Sequence, residues 1–492
     1  MSSYTFVAPC LMGVESLVAD ELRAQGLEEV RSENGRVLFT GDETAMARAC
    51  LWSRCAERVL LQLGQFPARS FEELFQGVLS LPLEEWIGQK DAFPVTGSCL
   101  NSQLHSVPDC QKIIKKAAVE RLRRTYRVSW FEETGYVHPI RFLLLKDQCS
   151  VMLDVTGVPL HKRGYRRDSV EAPIKETLAA SLCAISRLRH DGTLIDPFCG
   201  SGTILIEGAM MAKNIAPGLS RSFAAEHWRQ CHESVWKEER ERARAMQLND
   251  TGFQAYGYDI DPAAVELATQ NAAGAGLSDC IQVAVRDIRD FRQETPFGCV
   301  ITNPPYGERL LDREQARELY RQMGRVFVPQ RGWSYAVIAP DEEFEMLFGR
   351  RADKRRKLYN GMIKCQDYLF YRTDPAPAPQ PRRETPRRDK APMGPSRRPG
   401  DRPGDKPGDK PGDRSPGSNA GEKKNPVFHK DEKFRKDGRF DKNPDFKKQA
   451  AFDTNKAFYK NAGFDRNARF DKKAASTRHP ASGQNGKGRR EK

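Results

Sequence analysis

The order of apolar and polar positions divides the first 373 residues into three stretches that alternate strand-like and helical patterns. Residues 1–53 start with a strand-like run at 4–7. Apolar positions at helical spacing follow over 13–25, and a strand bounded by glycines follows at 35–41. This pattern predicts a small α/β unit.

Residues 54–157 predict a second α/β unit that contains a basic helix. Strand-like runs at 58–63 and 138–145 enclose a helical pattern over 110–124, for which Asp109 is the expected N-cap. The polar faces of this helix are rich in Lys and Arg, which suits either plain solvation or contact with a nucleic-acid backbone. The candidate RNA-binding residues on it are Lys112, Lys115 and Lys116.

Residues 158–373 alternate strands and helices in the manner of a mainly parallel, doubly wound sheet. The predicted strands are 193–195, 255–258, 281–284, 299–302 and 333–338, and the predicted helices are 204–213, 262–275 and 313–327. The fold class is therefore α/β throughout.

Composition separates residues 374–492 from the rest of the chain. This tail carries 32 basic and 17 acidic side chains, whereas residues 1–373 carry 48 and 49. It has no Leu or Ile, so it cannot bury enough apolar surface to offset its ordering entropy, and we predict a disordered tail. A Pro-Gly-Asp-Arg/Lys repeat fills 399–414, and Phe recurs every six residues over 428–470. Such a tail is either an RNA-associating segment, which we favour, or a solubilising linker.

Several classes of protein are excluded by the composition. No apolar run approaches the roughly 18 residues of a membrane helix, and the N-terminus lacks the pattern of a signal peptide. The 12 cysteines include no C-x-x-C pair, which argues against a zinc ribbon, so we predict reduced, mostly buried thiols. The expectation is a cytosolic protein without a membrane or metal partner, and the sequence does not predict an oligomeric state.

The first chemical motif, DPFCGSGT at 196–203, follows an apolar strand directly. Its glycines let the backbone turn tightly and approach a ligand. A dinucleotide site is disfavoured, because Leu205 replaces the third glycine of G-x-G-x-x-G and because Asp196 would repel a pyrophosphate. S-adenosylmethionine is cationic and carries no phosphate. We therefore predict that it is the cofactor and that it binds to Asp196, Phe198, Gly200, Gly202 and Thr203.

Further carboxylates follow the next two predicted strands. Asp259 or, as second choice, Asp261 is expected to accept hydrogen bonds from the ribose hydroxyls, and the other of the two is expected to cap the following helix. Asp287 is a candidate acceptor for the adenine amino group, although an isolated loop acid is often only solvated. An insertion at 214–252 separates the first motif from Asp259.

The motif NPPYGER at 303–309 carries the predicted reaction. An exocyclic purine amine is a poor nucleophile, because its lone pair is delocalised into the ring. The side-chain oxygen of Asn303 and the carbonyl of Pro304 can accept from its two N–H groups and direct the lone pair at a methyl donor. Tyr306 can stack on a base that has left its helix. Asn303, Pro304 and Tyr306 are the predicted catalytic residues, with Asn303 also beside the cofactor, and a purely structural turn is the alternative.

With these two motifs the chain resembles the class I S-adenosylmethionine-dependent RNA methyltransferases that carry an N-terminal THUMP domain, in particular the bacterial 23S rRNA guanine-N2 methyltransferases. The likeness spans about residues 4–373 and includes segments at 106–110, 160–166, 172–176 and 358–361. It implies a ferredoxin-like domain at 1–53, a THUMP domain at 54–157 and a Rossmann-like catalytic domain at 158–373. The sequence has no counterpart of the second methyltransferase of bifunctional relatives, and the repetitive tail is outside the family pattern.

A cluster of cations lies where the THUMP and catalytic domains meet, which predicts phosphate contacts beside the active site. Its members are His161, Lys162, Arg163, Arg166 and Arg167. The predicted function is methylation of N2 of a guanine in 23S rRNA. The alternatives are an N6-adenine DNA methyltransferase, since N2 and N6 amines present the same geometry, and a non-catalytic RNA-binding or ribosome-assembly protein.

Overall fold

The computed structural model describes residues 3–166, 173–293, 295–307 and 313–371, and the structural statements below refer to these ranges. The predicted tail at 374–492, with both of its repeats, lies outside the described residues, as do Arg167 and the last two residues of the 303–309 motif.

Strands from the first 154 residues form one continuous seven-stranded sheet in the order β2-β3-β1-β4-β7-β6-β5. Strand β1 joins the two predicted N-terminal units, because it pairs with β3 on one side and with β4 on the other. The elements are β1 (Tyr4–Pro9), α1 (Glu15–Ala24), β2 (Glu28–Glu33), β3 (Arg36–Gly41), α2 (Glu43–Trp52), β4 (Leu60–Pro67), α3 (Phe71–Leu79), β5 (Val95–Leu100), α4 (Val107–Tyr126), β6 (Ile140–Leu145) and β7 (Gln148–Asp154).

The basic helix α4 begins earlier than its sequence predicted, and the prediction that Asp109 caps it was wrong. Ser106 occupies the N-cap position and Pro108 the first turn, where a missing N–H costs nothing. Asp109 lies inside the first turn and accepts a hydrogen bond from the Ser106 hydroxyl (2.6 Å). Its negative charge interacts favourably with the positive end of the helix dipole. The apolar stripe of α4 is fully buried.

Strands from the second half of the chain form another seven-stranded sheet, in the order β10-β9-β8-β11-β12-β14-β13. Its first five strands are parallel to one another, and β14 is antiparallel to both of its neighbours, β12 and β13. The elements are α5 (Glu176–Ile185), β8 (Thr193–Asp196), α6 (Thr203–Ala212), α7 (Glu233–Ala245), β9 (Gln254–Asp259), α8 (Pro262–Gly274), β10 (Ile281–Val285), β11 (Gly298–Thr302), α9 (Arg313–Val326), β12 (Trp333–Ala339), α10 (Phe344–Phe348), β13 (Lys354–Asn360) and β14 (Ile363–Phe370).

This topology confirms the predicted α/β class and brings the motifs together. The strand order reverses between β8 and β11, and open α/β sheets bind ligands outside the carboxyl ends of their strands at such a point. Asp196 ends β8, Asp259 ends β9, and Thr302, directly before the 303–309 motif, ends β11. The sequence motifs therefore share one edge of the sheet.

The insertion at 214–252 connects the two sheets. Its Trp228 is buried, stacks on His138 with ring centroids 4.7 Å apart, and donates its indole N–H to the Val137 carbonyl (3.3 Å). Arg48 of α2 forms a bidentate ion pair with Glu239 of α7. The insertion thus packs the second half of the chain against the N-terminal half.

All 12 cysteines are free, and ten are buried, as predicted. Within the described ranges, no helix combines the length and the apolar character required to cross a membrane.

Candidate active site

The loop after β8 depends on glycine. Gly200 and Gly202 have φ angles of +50° and +76°, in the left-handed region that side chains disfavour. Gly202 also precedes α6 directly, and a Cβ atom on it would lie 3.1 Å from the Cβ of Ala268 in α8. The loop therefore makes a tight turn into α6 while packing closely against a neighbouring helix.

Asp196 is almost completely buried at the start of this loop. Its Oδ1 accepts hydrogen bonds from the Phe198 amide (3.1 Å) and the Thr302 hydroxyl (2.7 Å). The pKa of Asp196 is raised to about 7, mainly by burial and also by the negative charge of Asp259, while the two hydrogen bonds oppose the rise. A cation beside the two carboxylates would relieve their repulsion, whereas a phosphate would increase it. The site therefore suits a cationic, phosphate-free cofactor such as S-adenosylmethionine.

Asp259 connects the end of β9 to the glycine loop. Its Oδ2 accepts from the Gly200 amide (2.9 Å), and its Oδ1 accepts from the Asp261 amide (3.1 Å). Asp261 caps α8 by accepting from the Ala263 amide (2.9 Å). Of the two aspartates, Asp261 is thus the helix cap, and Asp259 lies at the end of β9 against the glycine loop.

Two other predicted cofactor residues have protein partners in the structure. Asp287 accepts from the backbone and guanidinium of Arg289 (2.7–2.9 Å), and this partner lowers the pKa of Asp287. The Thr203 hydroxyl accepts from the Arg166 guanidinium (2.6 Å) and contacts the Ser201 hydroxyl (3.1 Å). Phe198 is half-buried against the apolar core. A ligand at Asp287 would have to compete with an arginine that is 70% exposed.

The motif after β11 contains a chain of hydrogen bonds that the sequence did not reveal. The Tyr306 hydroxyl donates to Oδ1 of Asn303 and accepts from Nδ2 of Asn360 (3.2 Å), the last residue of β13. Burial is the main cause of a strongly raised pKa of Tyr306, so its phenol remains protonated. In the sequence, Asn360 stood out only as part of the segment 358–361 that resembles the family, and that resemblance did not indicate a role for it. Pro304 is buried and Asn303 is half-buried.

Two of the cations predicted to contact RNA are buried inside the protein, and their assignment is corrected. Arg163 is 2% exposed and pairs with Glu207 (3.2 Å) while donating to the Leu160 carbonyl (2.8 Å). His161 is also buried, with Nδ1 3.5 Å from a carboxylate oxygen of Glu57.

Arg166 is partly exposed, and its contact with RNA stays a prediction. It donates to the Thr203 hydroxyl and the Ile174 carbonyl and pairs with Glu176 (3.4 Å). Buried acids in apolar helices attract these cations to the domain junction, and a count of basic residues cannot detect those acids. Lys162 is exposed, and Arg167 lies outside the described residues.

The three lysines of α4 share one surface. Lys112 is 77% exposed, Lys116 is exposed, and Lys115 lies over the Phe93 ring (3.5 Å) while pairing with Glu133. They line a shallow depression of about 580 Å³. The structure thus brings these candidates together on an accessible face.

Sequence reasoning missed an exposed tryptophan close to α4 in the chain. Trp130 is 80% exposed. The residues directly before it line a second depression of about 330 Å³, which consists of Glu120, Arg123, Arg124, Arg127, Val128 and Ser129. The sequence could have indicated Trp130, because a large aromatic residue stands out in the segment 127–137. Cations and exposed aromatic rings are the components of sites for single-stranded nucleic acid.

Known domain families match most of the described chain. Residues 5–60 match the RlmL ferredoxin-like domain, residues 68–154 the THUMP domain, and residues 163–368 the RMKL-like methyltransferase domain. A Bacillus subtilis (strain 168) protein named "Putative RNA methyltransferase YpsC" is 42% identical over 373 residues, which cover 75% of this chain and 97% of that protein. A Psychromonas ingrahamii protein named "Ribosomal RNA large subunit methyltransferase K/L" is 36% identical, and the match covers 73% of this chain but only 49% of that protein.

Solved structures agree with these matches. SMU.472, described as "a putative methyltransferase complexed with SAH", is 42% identical with a TM-score of 0.71, and the match covers 76% of this chain and 99% of that one. A Listeria monocytogenes protein described as a predicted N6-adenine-specific DNA methylase is 42% identical with a TM-score of 0.72, covering 76% and 97%. The chain therefore belongs to the THUMP-containing, S-adenosylmethionine-dependent methyltransferases with an RMKL-like catalytic domain.

Proposed function

We propose that this protein methylates the exocyclic amine of a purine in RNA, and specifically N2 of a guanine in 23S rRNA. The observation that carries the proposal is the position of Asn303, which follows Thr302 at the end of β11 while the Thr302 hydroxyl bonds to Asp196 of the cofactor loop. An amine acceptor and a cofactor loop are thereby held at one edge of the sheet. The THUMP domain and the relatives named as ribosomal RNA methyltransferases support RNA as the substrate.

The proposed cofactor contacts follow from the acids at the strand ends. Both hydrogen bonds described for Asp196 fall on Oδ1, which leaves Oδ2 to accept from a ligand amine. Asp259 would accept from the ribose, and Asp287 from the adenine amine after exchange with Arg289. The bound cofactor supplies an activated methyl group on a sulfonium, so the protein contributes mainly positioning.

On the substrate side, Asn303 and Pro304 provide two acceptors for the two N–H groups of the amine. Pro304 and Pro305 have no backbone N–H that could compete for those acceptors. Because an NH₂ group held by two acceptors keeps its lone pair out of their plane, the amine becomes a directed nucleophile. Tyr306 would stack on the extruded base.

The proposal includes the organisation of the chain and its location. We assign residues 1–53, 54–157 and 158–373 to the ferredoxin-like, THUMP and catalytic domains, and residues 374–492 to an RNA-associating tail. The protein would work in the cytosol on large-subunit rRNA or its precursor, without a metal. The chain spans about half the length of the K/L relatives, so their full activity is not transferred to it.

A labelled-methyl assay tests the proposal. We expect transfer to 23S rRNA from a strain that lacks the gene, no transfer to plasmid DNA, and N2-methylguanosine in the digested product by mass spectrometry. Asn303→Ala should abolish turnover while cofactor affinity is retained. N6-methyladenine in DNA would favour the second candidate function, for which the description of the Listeria protein is the supporting observation. Cofactor binding without any transfer would favour a non-catalytic RNA-binding protein.

A further inference from the structure

The phenol of Tyr306 bridges two carboxamides, one in the catalytic motif and one in the hairpin between β13 and β14. Its oxygen accepts from Nδ2 of Asn360, and its hydroxyl donates to Oδ1 of Asn303. Asn303 and Asn360 are far apart in sequence, and only the pairing of the sheet strands places the hairpin beside the motif.

A phenol has a single proton, so its two hydrogen bonds cannot be chosen independently. When Asn360 presents its NH₂ group, the proton of Tyr306 is available to Asn303, whose carboxamide can accept it only through its oxygen. The Cys365 thiol also interacts with the phenol, but sulfur is a weak acceptor compared with a carboxamide oxygen. If Asn360 presented an acceptor instead, Tyr306 would turn its proton away, and Asn303 would turn its own NH₂ group towards the phenol.

The orientation of the Asn303 carboxamide decides whether it can serve the proposed reaction. A base stacked against Tyr306 approaches the side of the carboxamide that faces the phenol. There, Oδ1 can accept an N–H of the amine through its second lone pair, whereas a reversed carboxamide would oppose one NH₂ group with another.

We propose that Asn360 is a positioning residue that acts through Tyr306 to keep the side-chain oxygen of Asn303 directed at the substrate amine. This inference rests on the proposed function, because it assigns a purpose to Oδ1 of Asn303. It adds a residue of the β13–β14 hairpin to the residues that position the substrate. It also gives the hydroxyl of Tyr306 a role, in addition to the stacking of its ring.

Two substitutions at Asn360 separate this role from simple packing. Asn360→Ala removes the donor, so the carboxamide of Asn303 samples both orientations, and we expect kcat to fall about 10-fold. Asn360→Asp has nearly the same shape but attracts the proton of Tyr306, which favours the reversed carboxamide, and kcat should fall about 100-fold. Cofactor affinity should not change in either variant. Met362→Ala, at an exposed position of the same hairpin, is the matched control and should retain full kcat.

The decisive comparison uses Tyr306→Phe, which keeps the ring and removes the relay. In that background, Asn360→Ala and Asn360→Asp should have no further effect on kcat. Equal losses for the two variants in the presence of Tyr306, or an undiminished effect of Asn360→Asp in the Tyr306→Phe background, would refute the relay. Asn303→Ala is assayed in parallel: if it lowers turnover while the relay prediction fails, only the relay is wrong, whereas normal turnover in Asn303→Ala refutes the proposed function itself.

Discussion

The hydroxyl of Thr302 donates a 2.7 Å hydrogen bond to Oδ1 of Asp196, although the two residues are 106 positions apart in the chain. Both side chains are buried, and each ends a strand on either side of the reversal in strand order. The bond therefore couples the loop predicted to bind the cofactor to the strand that carries Asn303. A displacement of one motif would move the other.

Replacing Thr302 by Val tests this coupling. The substitution preserves shape but leaves a buried carboxylate oxygen without its hydroxyl donor, which costs about 1–3 kcal/mol. We expect lower stability in urea unfolding, together with weaker cofactor binding and reduced turnover. Thr302→Ser retains the hydroxyl and should restore binding. If Thr302→Val binds S-adenosylhomocysteine normally, the two motifs are not coupled through this bond.

The titration of Asp196 predicts a pH dependence of cofactor affinity. Its pKa is raised to about 7, so the carboxyl group of the free protein becomes protonated as the pH falls below 7. A cationic ligand favours the ionised form, and its binding must therefore release a proton in this range. Affinity for S-adenosylmethionine should fall from pH 8 to pH 6. In Asp196→Asn it should be weak at both values, as measured by calorimetry in buffers of different ionisation enthalpy. A pH-independent wild-type affinity would contradict this assignment.

The five parallel strands of the second sheet were predictable, because parallel strands tend to appear as continuous apolar runs, whereas its strands β13 and β14 were not predicted. Strand β2 was not predicted, since its residues are nearly all exposed and polar. The acids at the ends of β8 and β9 were predictable as well, because each directly follows or ends an apolar run that marks the strand. The bond of Thr302 to Asp196 and the bond of Asn360 to Tyr306 could not be found, because contacts over 106 and 54 residues depend on the register of the whole sheet.

Charge runs were the least reliable guide to function. The cations at 161–166 resemble the exposed lysines of α4 in sequence, yet two of them are buried. What distinguishes them is the presence of acids that become buried nearby, such as Glu207 within the apolar helix α6. Burying an ionised acid costs free energy unless an opposite charge pairs with it. Which cation forms that pair depends on the fold and not on the local sequence.

Asp367 of β14 predicts a second pH effect, this time on stability. Its side chain is fully buried, and neither carboxylate oxygen has a hydrogen-bond partner in the described part of the chain. Burial raises its pKa to about 7, and the charge of Arg356 opposes the rise. Between about pH 4 and pH 7 the folded protein holds a proton that the unfolded chain has lost, so this group lowers stability as the pH rises.

Asp367→Asn removes that titration and should be more stable than the wild type at pH 8, by on the order of a few kcal/mol, while the two proteins should converge towards pH 5. Urea unfolding at both pH values measures the difference. Asp196 titrates in both proteins and therefore cancels in the comparison. A difference that is the same at pH 5 and pH 8 would show that Asp367 is not protonated in the folded protein.

The exposed face of α4 and Trp130 should contribute to RNA binding in different ways. Replacing Lys112 and Lys116 together by Ala removes two cations, and the slope of log affinity against log salt should decrease by about two. Trp130→Ala should cost about 1–3 kcal/mol of affinity with an unchanged slope, because stacking does not release counterions. Lys237→Ala with Arg244→Ala removes the same charge from α7 and serves as the control. An equal slope change in the control would show that only net charge matters.

The buried pair of Arg163 and Glu207 provides the last prediction, which separates a structural cation from an RNA-binding one. Arg163→Ala leaves Glu207 as an uncompensated charge in the core, so unfolding should become easier by about 3–5 kcal/mol. Lys162→Ala, one residue away but exposed, should leave stability unchanged and weaken RNA binding slightly. Arg163→Ala combined with Glu207→Gln removes both charges and should recover much of the lost stability. RNA affinity of the folded double variant should match the wild type; a loss comparable to that of the α4 lysine variant would restore Arg163 as a phosphate contact.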